Sequence, residues 1–328
     1  MGPSLSPARG GAAPVCDDRP VNAVCRVLAG LTGLGAGVLA WSTLVEPRAF
    51  ALREFEVPVL PSGARPLRVL HLSDLHLVPG QRAKQEWVRS LAALRPDLVV
   101  TTGDNLAHLD AVPAVLDAYE GLLDVPGVFV LGSNDYFPPT PKNPLRYFND
   151  SHEKGENLTE ARLPTQDLVD AFTGAGWLDL NNARGRLELG GLRLEFVGVD
   201  DPHLEYDRYD VVAGPAGPDT DLLVGVTHAP YQRVLDAMTS DGARLVLAGH
   251  THGGQVCVPF YGALVTNCDL ETGRVKGVSR WWPGAGSAPS SAAPPGAAWL
   301  EVSAGLGASP YSPFRLACRP EATLLTLV

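Results

Sequence analysis

Residues 67–77 read LRVLHLSDLHL, and this stretch decides the fold. It opens as a short, mostly apolar run, too brief for a buried helix, and closes on Ser73, Asp74 and His76. An apolar run of about four to eight residues bounded by polar positions reads as a strand covered on both faces. The same design recurs downstream in DLVVTTGD (97–104) and GVFVLGSND (127–135). Amphipathic stretches around 81–94 and 111–123 separate these runs, which is the spacing of βαβ units in a buried sheet. In the second half, RLELGGLRLEFVGVD (186–200) predicts a hairpin about Gly190 and Gly191. DLLVGVTH (221–228) and ARLVLAGHTH (243–252) predict two more buried strands with a helix around 231–240 between them, and short strands follow at 298–303 and 322–328. The expected class is a layered α/β sandwich with mixed sheets, not a doubly wound fold.

Polar residues gather where these strands end. Asp74 and His76 follow the first, Asp104 and Asn105 the second, and Ser133, Asn134 and Asp135 the third. His228 closes one strand of the second half, and His250 and His252 close the next. Open α/β sheets bind ligands outside the carboxyl ends of their strands. Residues two apart on an extended segment face the same way, so Asp74 with His76, and His250 with His252, could each chelate an ion. A carboxylate such as Asp104 can bridge two cations. Mixed imidazole, carboxylate and amide ligands suit Mn, Fe, Zn or Co better than Mg or Ca. His71, inside the first strand, reads as structural, and His108, His152 and His203 carry no assignment by pattern alone.

The 328-residue chain has a formal net charge of −10, which excludes nucleic-acid binding through a diffuse basic surface. An anionic substrate would have to be drawn by bound cations. Five cysteines in no C-x-x-C spacing imply neither a zinc knuckle nor a disulfide framework, although a Cys257–Cys268 bridge is open to an extracytoplasmic domain.

The expected organisation is a disordered tail (1–26), an apolar segment (27–45), a proline-containing linker (46–66) and a catalytic domain (67–328). VLAGLTGLGAGVLAWSTLV (27–45) carries no charge and just reaches the roughly 20 residues that span a bilayer. Trp41 suits the interface, and an uncleaved signal anchor is the expected reading over a cleaved signal peptide or a buried helix. Arginines flank both ends, so membrane orientation stays open. Residues 136–165 form a long Pro-rich polar stretch, a candidate substrate lid with Tyr136, Arg146 and Tyr147. Residues 282–297 read as a flexible surface insertion.

The ordered set D-x-H, G-D-N, G-S-N-D, a solitary His and G-H-T-H resembles the signature of the calcineurin-like metallophosphoesterase family, in its membrane-anchored branch. The likeness spans about 67–325. It implies a four-layer αββα sandwich with mixed β-sheets, here preceded by one N-terminal transmembrane helix, around two divalent ions of Mn, Fe, Zn or Co. By that resemblance Asp74, His76, Asp104 and His252 hold one ion. Asp104, Asn134, His228 and His250 hold the other. Asp74, Asp104, Asn134 and His228 are the expected catalytic set, and Asn105, Ser133, His203 and Arg146 are expected near substrate. The implied reaction is hydrolysis of a phosphomonoester or phosphodiester, lipid-linked given the anchor, by a metal-held hydroxide.

The third motif departs from the family pattern. Aligned without a gap, Ser133 takes the place of the metal-binding Asn and Asn134 that of a catalytic His. Asn134 could supply the amide ligand one position late, or Ser133 could bind directly or through water. The amide oxygen is the better ligand, so Asn134 is expected. The departure leaves open a metal-retaining binding or regulatory protein with little turnover.

Overall fold

The structure is a computed structural model that describes residues 19–141 and 161–328. Two units are distinguished within the chain: residues up to Trp41, and Ser42–Val328. In the first, helix α1 covers Arg19–Ala40, and helical backbone continues through Val45. The segment Cys25–Arg48 is long and apolar enough to cross a membrane. The helix therefore reaches back into the expected tail, from which residues 1–18 lie outside the described residues.

The second unit is built on two six-stranded mixed sheets. The first sheet contains β1 (Ala51–Val57), β2 (Leu67–Leu72), β3 (Leu98–Thr101), β4 (Gly127–Phe129) and β5 (Leu178–Asp179), and its remaining strand is the last in the chain. The second contains β6 (Ala183–Leu189), β7 (Leu192–Gly198), β8 (Leu222–Val226) and β9 (Leu245–Ala248). A two-stranded hairpin, β10 (Cys257–Val258) and β11 (Gly262–Ala263), then intervenes. β12 (Gly277–Trp281) and β13 (Ala298–Val302) complete the second sheet, and β14 (Glu321–Leu327) returns to the first between β1 and β2.

Alternation along the strands produces four layers. Val69, Leu98 and Val100 face Leu222, Val224, Leu245 and Leu247 in one apolar cluster between the sheets. Leu70, Leu72 and Val99 turn the other way and pack on Val88 of α2 (Arg82–Ser90), Val115 of α3 (Val112–Ala118) and, beyond the short α4 (Ser133–Tyr136), Phe172 of α5 (Thr165–Gly174). On the far side, Leu223 and Val246 pack on Val234, Leu235 and Met238 of α6 (Gln232–Ser240). Both faces of each central strand are covered, hence the near-continuous apolar runs in the sequence.

Three sequence expectations need correction. The linker 46–66 contains β1, which pairs in parallel with β14 along its whole length. Its charged residues disguised it: an edge strand has one partner and keeps polar side chains in water. Residues 282–297 are anchored, not loose. The Arg274 guanidinium donates to the carbonyls of Gly286 and Ala288, Arg280 donates to that of Ala297, and Ala285 and Ala297 are buried. Cys257 and Cys268 are both free thiols, so the bridge left open above does not form. Of the expected lid 136–165, residues 142–160, with Arg146, Tyr147 and His152, lie outside the described residues. Tyr136 is placed: its hydroxyl donates to Asp200 Oδ1 at 2.8 Å.

Candidate metal centre

The strand ends converge. Ligand atoms of Asp74, His76, Asp104 and His252 all lie within 4.8 Å of one another. His252 Nε2 is 3.2 Å from His76 Nε2 and 3.5 Å from Asp74 Oδ1. The two oxygens of Asp104 face different groups: Oδ2 lies 3.3 Å from His76 Nε2, and Oδ1 lies 3.6 Å from His228 Nε2. His250 Nδ1 stands 3.2 Å from that same His228 nitrogen. Asn134 is present too, its backbone N–H and Nδ2 donating to Asp104 at 2.7 and 2.9 Å. Five ligand residues expected from sequence, plus Asn134, thus surround Asp104.

Local backbone, however, is not extended as the two-apart spacing assumed. Asp74, His76, Asp104, His250 and His252 all have φ between 42° and 68°. Non-glycine residues seldom adopt this left-handed conformation, and such strain concentrates at functional sites. The consequence is visible in GHTH: His252 joins Asp74 and His76, whereas His250 turns to His228. Close glycines make room for this packing. A Cβ on Gly249 would come within 1.9 Å of Ser73 Oγ and 2.7 Å of Asp74 Oδ2, and one on Gly132 within 2.4 Å of Asp104 Oδ1.

Electrostatics fit a cation. Burial above all holds His76 and His252 down at about 4 and His250 well below its ordinary value, so these imidazoles are neutral with a lone pair to give. Burial would also lower His228, but Asp104, Asp201 and Asp74 outweigh it and lift it to about 9. Burial would raise Asp104, yet His228, His76 and the Asn134 donors bring it to about 2. The carboxylates thus create enough negative potential to protonate a buried imidazole, and a divalent ion would displace that proton. Asp74 Oδ1 and His250 Nε2 are buried without a hydrogen-bond partner. The donor set and its orphaned atoms fit divalent metal.

Outer partners aim the ligands. His228 Nδ1 bonds the Thr102 carbonyl at 2.6 Å and His252 Nδ1 that of Gly307 at 3.1 Å, which turns each Nε2 toward the cluster. A buried chain runs from Glu301 through His71 to Thr102 Oγ1 (2.9 Å), on to Ser73 Oγ (2.7 Å) and Asp74 Oδ2 (2.6 Å). His71 is the structural residue the sequence suggested, and it supports a ligand at that chain's far end. Thr102→Val should cut the chain while sparing the carbonyl that holds His228. Outer-partner losses typically cost ~10–100-fold in metal affinity, and that range is expected in a competitive Mn²⁺ titration.

Other candidates separate. Asn105 is fully buried, and its carbonyl oxygen accepts from Tyr119 Oη and Thr101 Oγ1 at 3.2 and 3.3 Å, toward the helical layer. His203 does reach the cluster, its ring centroid 4.7 Å from that of His250 and its Nδ1 3.2 Å from Tyr231 Oη. Ser133 Oγ lies 3.3 Å from Asn134 Nδ2. His108 is half exposed and bonds Asp110 N–H within its own turn.

Sequence reasoning missed several supports. Asp135 caps the backbone of two motif loops, Lys84 Nζ donates to Leu75 O at 2.7 Å, and buried Arg315 donates to the carbonyls of Ala304 and Gly307. Asp135 carried a signal, its place in GSND. Arg315, in an irregular stretch, carried none.

Comparison with known proteins agrees with this geometry. A family model described as calcineurin-like phosphoesterase matches residues 67–254. The chain is 26% identical over 270 residues to the uncharacterized protein YpbG of Bacillus subtilis, covering 81% of this chain and 82% of that one. It is 24% identical over 317 residues to the uncharacterized metallophosphoesterase YkuE of the same organism, covering 92% and 96%. A Danio rerio transmembrane protein with metallophosphoesterase domain is 24% identical over 217 residues, covering 62% of this chain and 44% of its own. The matched segment contains every strand-end motif from D-x-H to G-H-T-H, and the chain belongs to the calcineurin-like phosphoesterase family.

Proposed function

We propose that this protein is a membrane-anchored, dimetal phosphoesterase acting on a phosphomonoester or phosphodiester. The single observation that carries this is the split of Asp104, whose two oxygens face His76 on one side and His228 on the other. Asp74, His76, Asp104 and His252 would hold one ion, and Asp104, Asn134, His228 and His250 the second. When bound, two divalent ions of Mn, Fe, Zn or Co would supply Lewis acidity and lower the pKa of a water from 15.7 toward ~7. The residues of the chain do the rest. The Thr102 and Gly307 carbonyls set the tautomers of His228 and His252, and the Asn134 N–H groups orient the shared carboxylate. The cations offset the overall charge of −10 where an anionic ester must approach. Membrane attachment rests on the Cys25–Arg48 span and makes lipid-linked phosphates the favoured substrate class.

The test is turnover by the detergent-solubilised full chain, loaded with Mn²⁺, of bis-p-nitrophenyl phosphate and p-nitrophenyl phosphate. Metal-dependent release of nitrophenolate supports the reading; bound metal with no turnover of either ester supports the second reading, a metal-retaining regulatory protein. That alternative has its own observation. The position of the family's His is Asn134, whose side chain is engaged with Asp104. Restoring the pattern with Ser133→Asn and Asn134→His together should raise kcat on an ester with a poor leaving group. A positioned acid is worth typically ~10²–10⁴-fold, and the lower end is expected in a backbone not evolved for it.

A further inference from the structure

The β10–β11 hairpin carries an aromatic tip that its own domain leaves bare. Phe260 is 111% exposed and Tyr261 77%, with Val258 and Leu264 at 42% and 50% beside them. Phe260 sits at φ 68°, a conformation that is a genuine outlier for a bulky residue. An exposed Phe in that position contributes nothing to the core and strains the turn. Exposed apolar patches of this kind mark contact with a protein or a membrane.

The neighbourhood decides between them. The root of the hairpin is tied to the 312–316 loop: Cys257 N–H donates to Leu316 O at 2.8 Å, and Gln255 Nε2 donates to the carbonyls of Ser312 and Phe314 at 2.8 and 2.9 Å. Tyr311, 58% exposed, precedes that loop. Arg315 in that loop, and Cys318 just beyond it, also grip the start of the second unit, in the last residues of the Cys25–Arg48 segment. Arg315 N–H donates to Ser42 O at 2.8 Å, and Cys318 N–H donates to the buried Glu46 carboxylate at 2.6 Å. The chain therefore enters the catalytic unit from its apolar segment at the loop that roots the aromatic tip. Gln255, three residues beyond His252, connects this rim to the metal cluster.

We propose that the Phe260–Tyr261 tip, with Tyr311 near its root, is a second membrane contact that inserts into the interface of the leaflet from which the apolar helix emerges. The inference rests on the anchored reading above and adds to it a second point of attachment. Aromatic rings are favoured at the headgroup level. A chain of charge −10 is repelled by an anionic leaflet, so an apolar contact is the kind available to it. The tether raises the effective concentration of the tip at the surface, so a small contact suffices.

The test uses the full-length chain in mixed phosphatidylcholine–phosphatidylglycerol vesicles, with and without lipids brominated near the headgroup end of their acyl chains. Phe260→Trp keeps an aromatic at the same left-handed position, and Tyr261→Trp is a second probe beside it. The emission each adds over the parent should lose most of its intensity to brominated lipid, whereas that added by Val211→Trp, at another exposed position, should not. Added emission that brominated lipid leaves intact overturns the proposal, whether it reports a ring in water or, if blue-shifted, a ring against a second copy of the chain. Quenching is read without substrate, so an inactive enzyme would sink the phosphoesterase reading and leave this result standing.

Discussion

Asp104→Asn is expected to lower kcat/KM by well over 100-fold on any ester the parent turns over, and to cut bound Mn²⁺ from two ions to about one or fewer per chain. Loss of a partner outside the ligand shell already costs ~10–100-fold, and Asp104 faces both halves of the cluster at once. The amide keeps the shape but has one acceptor oxygen, so it can serve one side only. It also removes the buried negative charge that, with Asp201 and Asp74, lifts His228 to about 9. Steady-state kinetics beside metal analysis of the gel-filtered protein would check this. An Asp104→Asn enzyme that keeps two ions and most of its activity would refute the bridging role.

Asp135→Ala is the change expected to damage the fold most. Its buried carboxylate accepts the backbone N–H groups of Gly132, Asp104, Asn105 and Leu106 at 3.0, 2.8, 2.8 and 3.3 Å. This one side chain therefore holds the loop after β3 against the loop after β4. Alanine would strand four buried donors, each worth about 1–3 kcal/mol when unsatisfied, and partial relaxation brings the expected loss to about 3–5 kcal/mol. At roughly 2–4 °C per kcal/mol for a domain of this size, the melting temperature should fall by about 6–20 °C. Asp135→Asn keeps the volume and one acceptor and should lose less. Calorimetry of both variants with metal removed separates this effect from ligand loss.

Much of this was legible beforehand because burial on both faces of a strand writes itself into composition. LRVLHL, DLVV, DLLVGV and RLVLA have no alternative as short segments bounded by polar ends, and their order places the chemistry at one sheet edge. The Gly190-Gly191 hairpin was equally plain, since β6 and β7 pair in the register that turn dictates. β1 escaped notice because an edge strand can be charged and still pair. The burial of Asn105 beside Tyr119 was not legible, because its neighbour Asp104 faces the cluster and at φ 55° the chain turns there in a way that spacing does not reveal.

What the sequence determined by itself was which polar residues close the buried strands and that the fold is a layered α/β sandwich, since both follow from residue type and from the lengths of the apolar runs. Residue spacing paired His250 with His252, whereas the tertiary structure parts them: Asp74, His76 and His252 lie to one side of Asp104, and His228 and His250 to the other, the grouping that the family resemblance implied. That division depends on left-handed backbone at five positions, a conformation unfavourable in an isolated segment and held only by the glycines, carbonyls and Asp135 packed around it. The same is true of the aromatic tip. Its exposure, and its tie to the end of the apolar helix, arise from contacts between segments more than 200 residues apart in the chain.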